Sequence, residues 1–207
     1  MTHRSLAVVT AGVSQPSTSR LLADQLVAAV RDGLTGHGIQ PADTVIEVRD
    51  HAHDIVNNTL TGFPAPALRQ ALDTVAGADG LIAVSPIFNA SYSGLFKAFF
   101  DVLPEGALHD KPVLIGATGG TARHSLALEH ALRPMFAYLR AVVVPTTVFA
   151  SAEDWAAGGE PDALRRRAER AGRELAAEIH RREPAAVTDP FALAADFEQL
   201  RAEGKSS

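Results

Sequence analysis

Three short apolar runs set the narrowest limit on what this chain can fold into. They are SLAVVT (Ser5–Thr10), ADGLIAVS (Ala78–Ser85) and KPVLIGAT (Lys111–Thr118). Each is continuous rather than alternating, which marks a strand buried on both faces. Between them lie stretches of helical period. Leu21, Leu22, Leu26, Ala29 and Val30 recur on one side of a helix that ends near Gly36–Gly38. Pro66–Val75 and Ser93–Leu103 predict shorter helices. Leu126–Leu139 predicts a longer one, with Leu128, Leu132, Met135, Phe136 and Leu139 on one side. TVIEVR (Thr44–Arg49) alternates and reads as a strand exposed on one face. AVVVPTTVF (Ala141–Phe149) is the last strand, with Pro145 marking a bulge or break. Asp162–Arg182 predicts a charged helix with Leu164, Ala168, Ala171, Leu175 and Ile179 as its apolar stripe.

Strand–helix repetition with apolar inner strands requires a parallel sheet covered on both faces. The expected fold is α/β, a flavodoxin-like three-layer sandwich around a five-stranded parallel sheet of order 2-1-3-4-5. The 207 residues suit one such domain over 1–184. Residues 185–207 are expected to form a C-terminal tail with one short helix, FALAADFEQL.

Composition removes several chemistries. There is no cysteine, so disulfides, thiolate catalysis and cysteine-based metal centres are excluded. The net charge of -5, with no basic stripe between aromatics, argues against a nucleic-acid partner. No apolar run approaches the ~20 residues of a membrane span. The expected location is the cytoplasm.

Ligands of such sheets bind beyond the carboxyl ends of the strands, at the switch in strand order. Strands 1, 3 and 4 are neighbours there. Their exit loops, AGVSQPSTSR (Ala11–Arg20), SPIFNASYSG (Ser85–Gly94) and ATGGTARHS (Ala117–Ser125), should line one crevice. The first places Ser14, Gln15, Ser17, Thr18 and Ser19 before a helix, whose amino end attracts anions. One hydroxyl suffices to cap a helix, so five polar side chains favour a phosphate, and Arg20 adds charge. The loop lacks the G-x-x-x-x-G-K-S/T run of a triphosphate cradle. Gly12–Pro16 approaches G-x-S-x-G, but Pro16 stands where the nucleophile elbow needs glycine, which argues against a nucleophilic Ser14.

In the second loop Pro86 and Phe88 offer surface to a flat ring, and Asn89 offers a polar edge. The same residues also read as an Asn-Ala turn with a Ser91 cap. In the third loop, Thr118, Gly119 and Gly120 let backbone approach a ligand closely. A phosphate at one end and a heteroaromatic ring at the other describe flavin mononucleotide.

The segment Pro86-Ile-Phe88-Asn89-Ala-Ser91-Tyr92-Ser93-Gly94-Leu-Phe-Lys97, closing on Asp101, resembles the P-x-Y/F-N-x-S-x-x-G-x-L/F-K…D signature of NADPH-dependent FMN reductases. The resemblance runs from about Ser5 to Phe149. It implies FMN as cofactor and NADPH or NADH as electron donor. It implies Ser14, Ser17 and Ser19 at the phosphate, and Pro86, Ile87, Phe88, Asn89, Ala90 and Ser91 along the isoalloxazine. Gly119 and Gly120 would meet its far edge. It also implies a homodimer or homotetramer packed through the helices after strands 3 and 4. Gly119–Ala141 resembles the branch that supplies reduced flavin to luciferase-like monooxygenases. Ser93 stands where many relatives have proline, which bears on the donor pocket.

Hydride chemistry belongs to the cofactor, so no catalytic side chain is expected. Arg123 and His124 either meet the donor's phosphates or begin a solvated helix. His51-Ala-His53-Asp54 approaches a metal motif but lacks its last histidine, and reads as a surface loop with no metal. A quinone or azo reductase, or a flavodoxin-like electron carrier, remain rival readings.

Overall fold

The structure is a computed structural model that describes residues 2–155 and 161–185. The expected tail over 185–207 lies outside the described residues after Ala185. The strands are β1 (Thr2–Thr10), β2 (Ile39–Glu47), β3 (Gly80–Phe88), β4 (Ser91–Tyr92), β5 (Pro112–Gly119), β6 (Val142–Val143) and β7 (Val148–Ser151). The helices are α1 (Thr18–Gly36), α2 (Ala52–Thr61), α3 (Pro66–Gly77), α4 (Gly94–Asp101), α5 (Arg133–Tyr138) and α6 (Pro161–His180).

The sheet runs β2-β1-β3-β5-β6, with β7 also paired to β5 and β4 to β3. The flavodoxin-like class is therefore as expected, but the five-stranded parallel sheet is corrected to seven strands, one of them antiparallel. Two local causes account for the difference. The expected fifth strand is broken around Pro145, which has no N–H for the ladder. Its first piece pairs with Pro112–Val113 of β5 and its second with Gly116–Gly119. The other addition is the hairpin at the end of β3, where Phe88 pairs with Ser91.

The pleat sorts the apolar runs into two cores. Ala7, Val9, Leu81, Ala83, Val113 and Ile115 face one side, with Leu68, Phe96 and Phe136 of α3, α4 and α5. Leu6, Val8, Ile82, Val84 and Leu114 face the other, against α1 and α6. β2 is an edge strand, as its alternation predicts.

Three helical expectations change. The 51–54 segment is helical rather than a loop, leading into α2. Ile55 is the residue that buries α2 in the first core. The Leu126–Leu139 helix is interrupted: Leu128–Leu132 is one π turn, in which Arg133 N donates to Leu128 O. Pro134 follows it and cannot donate to the preceding turn, so regular α-helix begins only there. α4 is capped by Ser93, whose hydroxyl accepts from Phe96 N at 3.1 Å, and not by Ser91. Among the described residues, no helix is long and apolar enough to cross a membrane.

Candidate functional site

The carboxyl ends of β1, β3, β5 and β7 surround one cavity of about 280 Å³. From the first loop it takes Gly12, Val13, Ser14, Ser17, Thr18 and Ser19. From the second it takes Pro86, Ile87 and Phe88, and from the third Thr118, Gly119 and Gly120. Ala150, Ala152 and Trp155 close the side that follows the last strand.

The first loop is held at both ends. Ser17 is the cap of α1, and its hydroxyl accepts from Arg20 N at 3.2 Å. Gly12 is required beside it, because a Cβ there would stand 1.9 Å from Ser17 Oγ. Arg49, in the 3-10 turn that follows β2, donates to Ser14 O at 2.9 Å. The Gln15–Pro16 peptide is cis, and Gln15 is exposed outside the cavity wall. Ser19 is buried, and its hydroxyl meets Thr118 Oγ1 at 2.8 Å. That bond ties the loop after β1 to the end of β5.

The charge at this end differs from expectation. Arg20 does not serve the cavity, since Nε pairs with Asp24 at 2.8 Å and Nη1 with Glu47 at 2.7 Å. Asp24, and then Glu47, raise its guanidinium above the ordinary arginine value despite partial burial. What remains for an anion are the first N–H groups of α1, which lack partners within the helix, and the hydroxyls of Ser14, Ser17 and Thr18. Those neutral donors fit a phosphate.

The second loop divides. Pro86, Ile87 and half-exposed Phe88 line the cavity. Asn89, Ala90 and Ser91 do not. Asn89 and Ala90 form the tip of the β3–β4 hairpin, with φ of 48° and 67°. Ser91 is their first paired residue, so the turn reading of this segment holds and its cap reading does not. Ser85 Oγ fixes the hairpin's exit by accepting from Ser93 N at 3.0 Å and donating to Pro86 O at 2.9 Å.

In the third loop Gly120 has open space around its α-carbon, so ligand can approach the backbone. Arg123 and His124 lie on a short 3-10 turn just beyond, outside the cavity lining. No ionisable side chain lines the cavity among the described residues. It can therefore hold an anion with neutral donors and a flat ring against apolar walls, but it offers no acid or base. Trp155 was missed by sequence reasoning. Its signal was available, since it follows the last strand at the same carboxyl edge.

A model of the family described as NADPH-dependent FMN reductase matches residues 5–156. The FMN reductase (NADPH) of Pseudomonas aeruginosa is 41% identical over 72% of this chain and 78% of its own. An oxidoreductase structure from Corynebacterium diphtheriae superposes with a TM-score of 0.85 at 41% identity, covering 88% of this chain and 100% of that one. An NADH:FMN oxidoreductase in its apo form gives a TM-score of 0.74 at 30% identity, covering 92% and 98%.

Proposed function

The chain belongs to the NADPH-dependent FMN reductase family, and we propose that it transfers hydride from a reduced nicotinamide to FMN in the cavity described above. One observation carries the reading: the exits of β1, β3 and β5 wall a single cavity, tied across by the Ser19–Thr118 bond of 2.8 Å. Bound FMN supplies the hydride acceptor.

The chain's own residues bind and orient. Ser14, Ser17 and Thr18, with the amino end of α1, hold the phosphate. Ser19 contributes by fixing that loop to Thr118. Pro86, Ile87 and Phe88 support the ring along one side, and backbone at Gly119 and Gly120 meets its edge. Among the described residues the lining holds no acid or base, so the proton that accompanies reduction is assigned to solvent. Gln15, Asn89, Ala90 and Ser91 stand outside the lining, so their part is to shape the loop and the hairpin.

The proposed reaction is assigned to a domain over 1–184, and its need for reduced nicotinamide supports a cytoplasmic location. A homodimer or homotetramer packed through α4 and α5 is what the family resemblance supports, and Tyr138, 86% exposed at the end of α5, is in keeping with it. The likeness of Gly119–Ala141 to flavin-supplying reductases supports a flavin-dependent monooxygenase as the recipient of reduced FMN.

The test is titration of the apoprotein with FMN, followed by flavin fluorescence, and then anaerobic addition of NADPH or NADH. Saturable quenching and bleaching of the visible flavin band are expected. Binding of FMN without bleaching by either donor points instead to an electron carrier.

A further inference from the structure

The stretch Val13–Pro16 of the first loop is exposed, and little holds it. Before it, Ala11 N donates to Val84 O at 3.0 Å. After it, Ser17 caps α1. Between those two points, among the described residues, a single hydrogen bond reaches the loop, from Arg49 Nη1 to Ser14 O at 2.9 Å. The Arg49 guanidinium is itself held. Its Nη2 pairs with Oε2 of Glu47, the last residue of β2. The other oxygen of that carboxylate takes Arg20 Nη1 at 2.7 Å. Arg20 lies in the first turn of α1, and its own N–H donates to Ser17 Oγ at 3.2 Å. One carboxylate thus braces both ends of the loop, Ser14 through Arg49 and the α1 cap through Arg20. Glu47 and Arg49 are both mostly buried, and neither lines the cavity, whereas Ser14, Ser17 and Thr18 do.

A loop that is loose before binding loses conformational freedom when a ligand orders it, and affinity falls by that loss. A loop already held in place avoids it. This inference rests on the flavin reading above, in which the loop takes the phosphate. We propose that Glu47 and Arg49 are positioning residues that preorganise the phosphate loop, and so set the affinity that FMN gains over riboflavin.

Fluorescence titrations with FMN and riboflavin on the full-length wild type, Arg49→Met and Glu47→Gln provide the test. Thermal melts accompany them, to show that each variant is folded. Riboflavin lacks the phosphate, so the ratio of riboflavin to FMN dissociation constants reads the phosphate end alone. The wild type is expected to bind FMN the more tightly. In Arg49→Met the ratio should fall about tenfold, the scale of ordering the backbone of one residue on binding. Glu47→Gln separates position from charge. By charge alone, removing an anion near a phosphate tightens FMN and raises the ratio. Loss of the brace lowers it instead, by about threefold or more, because one amide oxygen replaces the two charged oxygens that hold Arg20 and Arg49. An unchanged ratio in folded Arg49→Met overturns the proposal, whether both flavins are spared or weakened alike. A ratio that rises or stays the same in folded Glu47→Gln overturns it too. Riboflavin bound as tightly as FMN by the wild type removes the phosphate from this loop and ends the proposal without any variant. Failure of the wild type to bind any flavin overturns the functional reading beneath it as well.

Discussion

At the scale of single residues, the site depends on neutral contacts more than on charge. The Ser19–Thr118 bond is the clearest case, because both hydroxyls are buried and each is the other's side-chain partner. Ser19→Ala leaves the Thr118 hydroxyl buried without that bond, which costs about 1–3 kcal/mol. Thr118→Val does the same from the other side. The double variant should lose clearly less than the sum, because it removes both polar groups together. Denaturant unfolding of the four proteins reads the coupling directly, and strict additivity would show that the bond does not form. FMN affinity should fall in both single variants if the bond also sets the spacing between the phosphate loop and the ring's edge. An undiminished affinity would confine the bond to stability. Gly12→Ala acts more harshly, since its Cβ would stand 1.9 Å from Ser17 Oγ. It should displace the capping hydroxyl and weaken FMN more than riboflavin, measured by the same titration; equal weakening of both would remove Ser17 from the phosphate end.

At the scale of elements, the contact between α1 and α6 is set by the absence of a side chain. A Cβ on Gly172 would lie 2.6 Å from the carbonyl carbon of Ala29, which is backbone and cannot rotate away. Alanine in place of a mid-helix glycine ordinarily gains roughly 0.5–1 kcal/mol. Here overpacking at about 1–3 kcal/mol opposes that gain, so Gly172→Ala is expected to lower the melting temperature. A higher melting temperature would mean the two helices sit further apart than described. The β3–β4 hairpin carries the opposite expectation. Ala90 has φ of 67°, where an L side chain costs about 1–2 kcal/mol, and glycine would relieve it. Ala90→Gly should raise the melting temperature without changing FMN affinity; a fall in either would show that the alanine methyl has a contact of its own. These elements also mark how far the sequence could be read. Ser5–Thr10, Ala78–Ser85 and Lys111–Thr118 were legible because strands buried on both faces leave an unbroken apolar run. The loops after them were legible because strand order dictates which exits meet. The α2 helix was not, since only Ile55 and Asn58 of it are buried and its opening residues imitate a metal motif. The π turn at Leu128–Leu132 was hidden inside a helical period that it hardly disturbs. The hairpin at Asn89 and Ala90 was legible only as a turn, because positive φ at both residues is a backbone property that the side chains do not announce.

At the scale of the whole molecule, the two edges of the sheet carry opposite chemistry. Among the described residues, the carboxyl edge holds a cavity lined without charge, while the amino edge holds a buried ionic cluster. There Asp79 accepts from Ser5 N at 2.7 Å, Ser5 Oγ at 2.9 Å and Ala185 N at 2.8 Å, and pairs with Arg4 at 3.1 Å. Those bonds fasten β1, the turn before β3 and the chain leaving α6 at one point. Burial alone would raise the Asp79 carboxyl, but the hydrogen bonds from Ser5 and Ala185 and the charge of Arg4 together hold it below the usual carboxylate value. A carboxyl lowered in the folded state binds its proton more readily when unfolded. Its contribution is therefore fully present above the ordinary aspartate range and is lost as pH falls through the folded value. Lys111, whose Nζ donates to Ala76 O at 3.1 Å, is lowered by burial and partly restored by Asp79. Asp79→Ala leaves Arg4 and Lys111 buried beside no anion, and should cost about 3–5 kcal/mol. Asp79→Asn, closer in shape, should lose less at neutral pH and should flatten the acid side of the stability curve. The measurement is the urea midpoint from neutral pH down to about 3, around the ordinary carboxylate range, for wild type and Asp79→Asn. The two curves should converge as pH falls, because acid removes from the wild type what the variant already lacks. Parallel curves would mean that this carboxyl does not govern the acid response. FMN affinity at neutral pH should be the same in both proteins, since no charged group of the cluster reaches the cavity at the other edge.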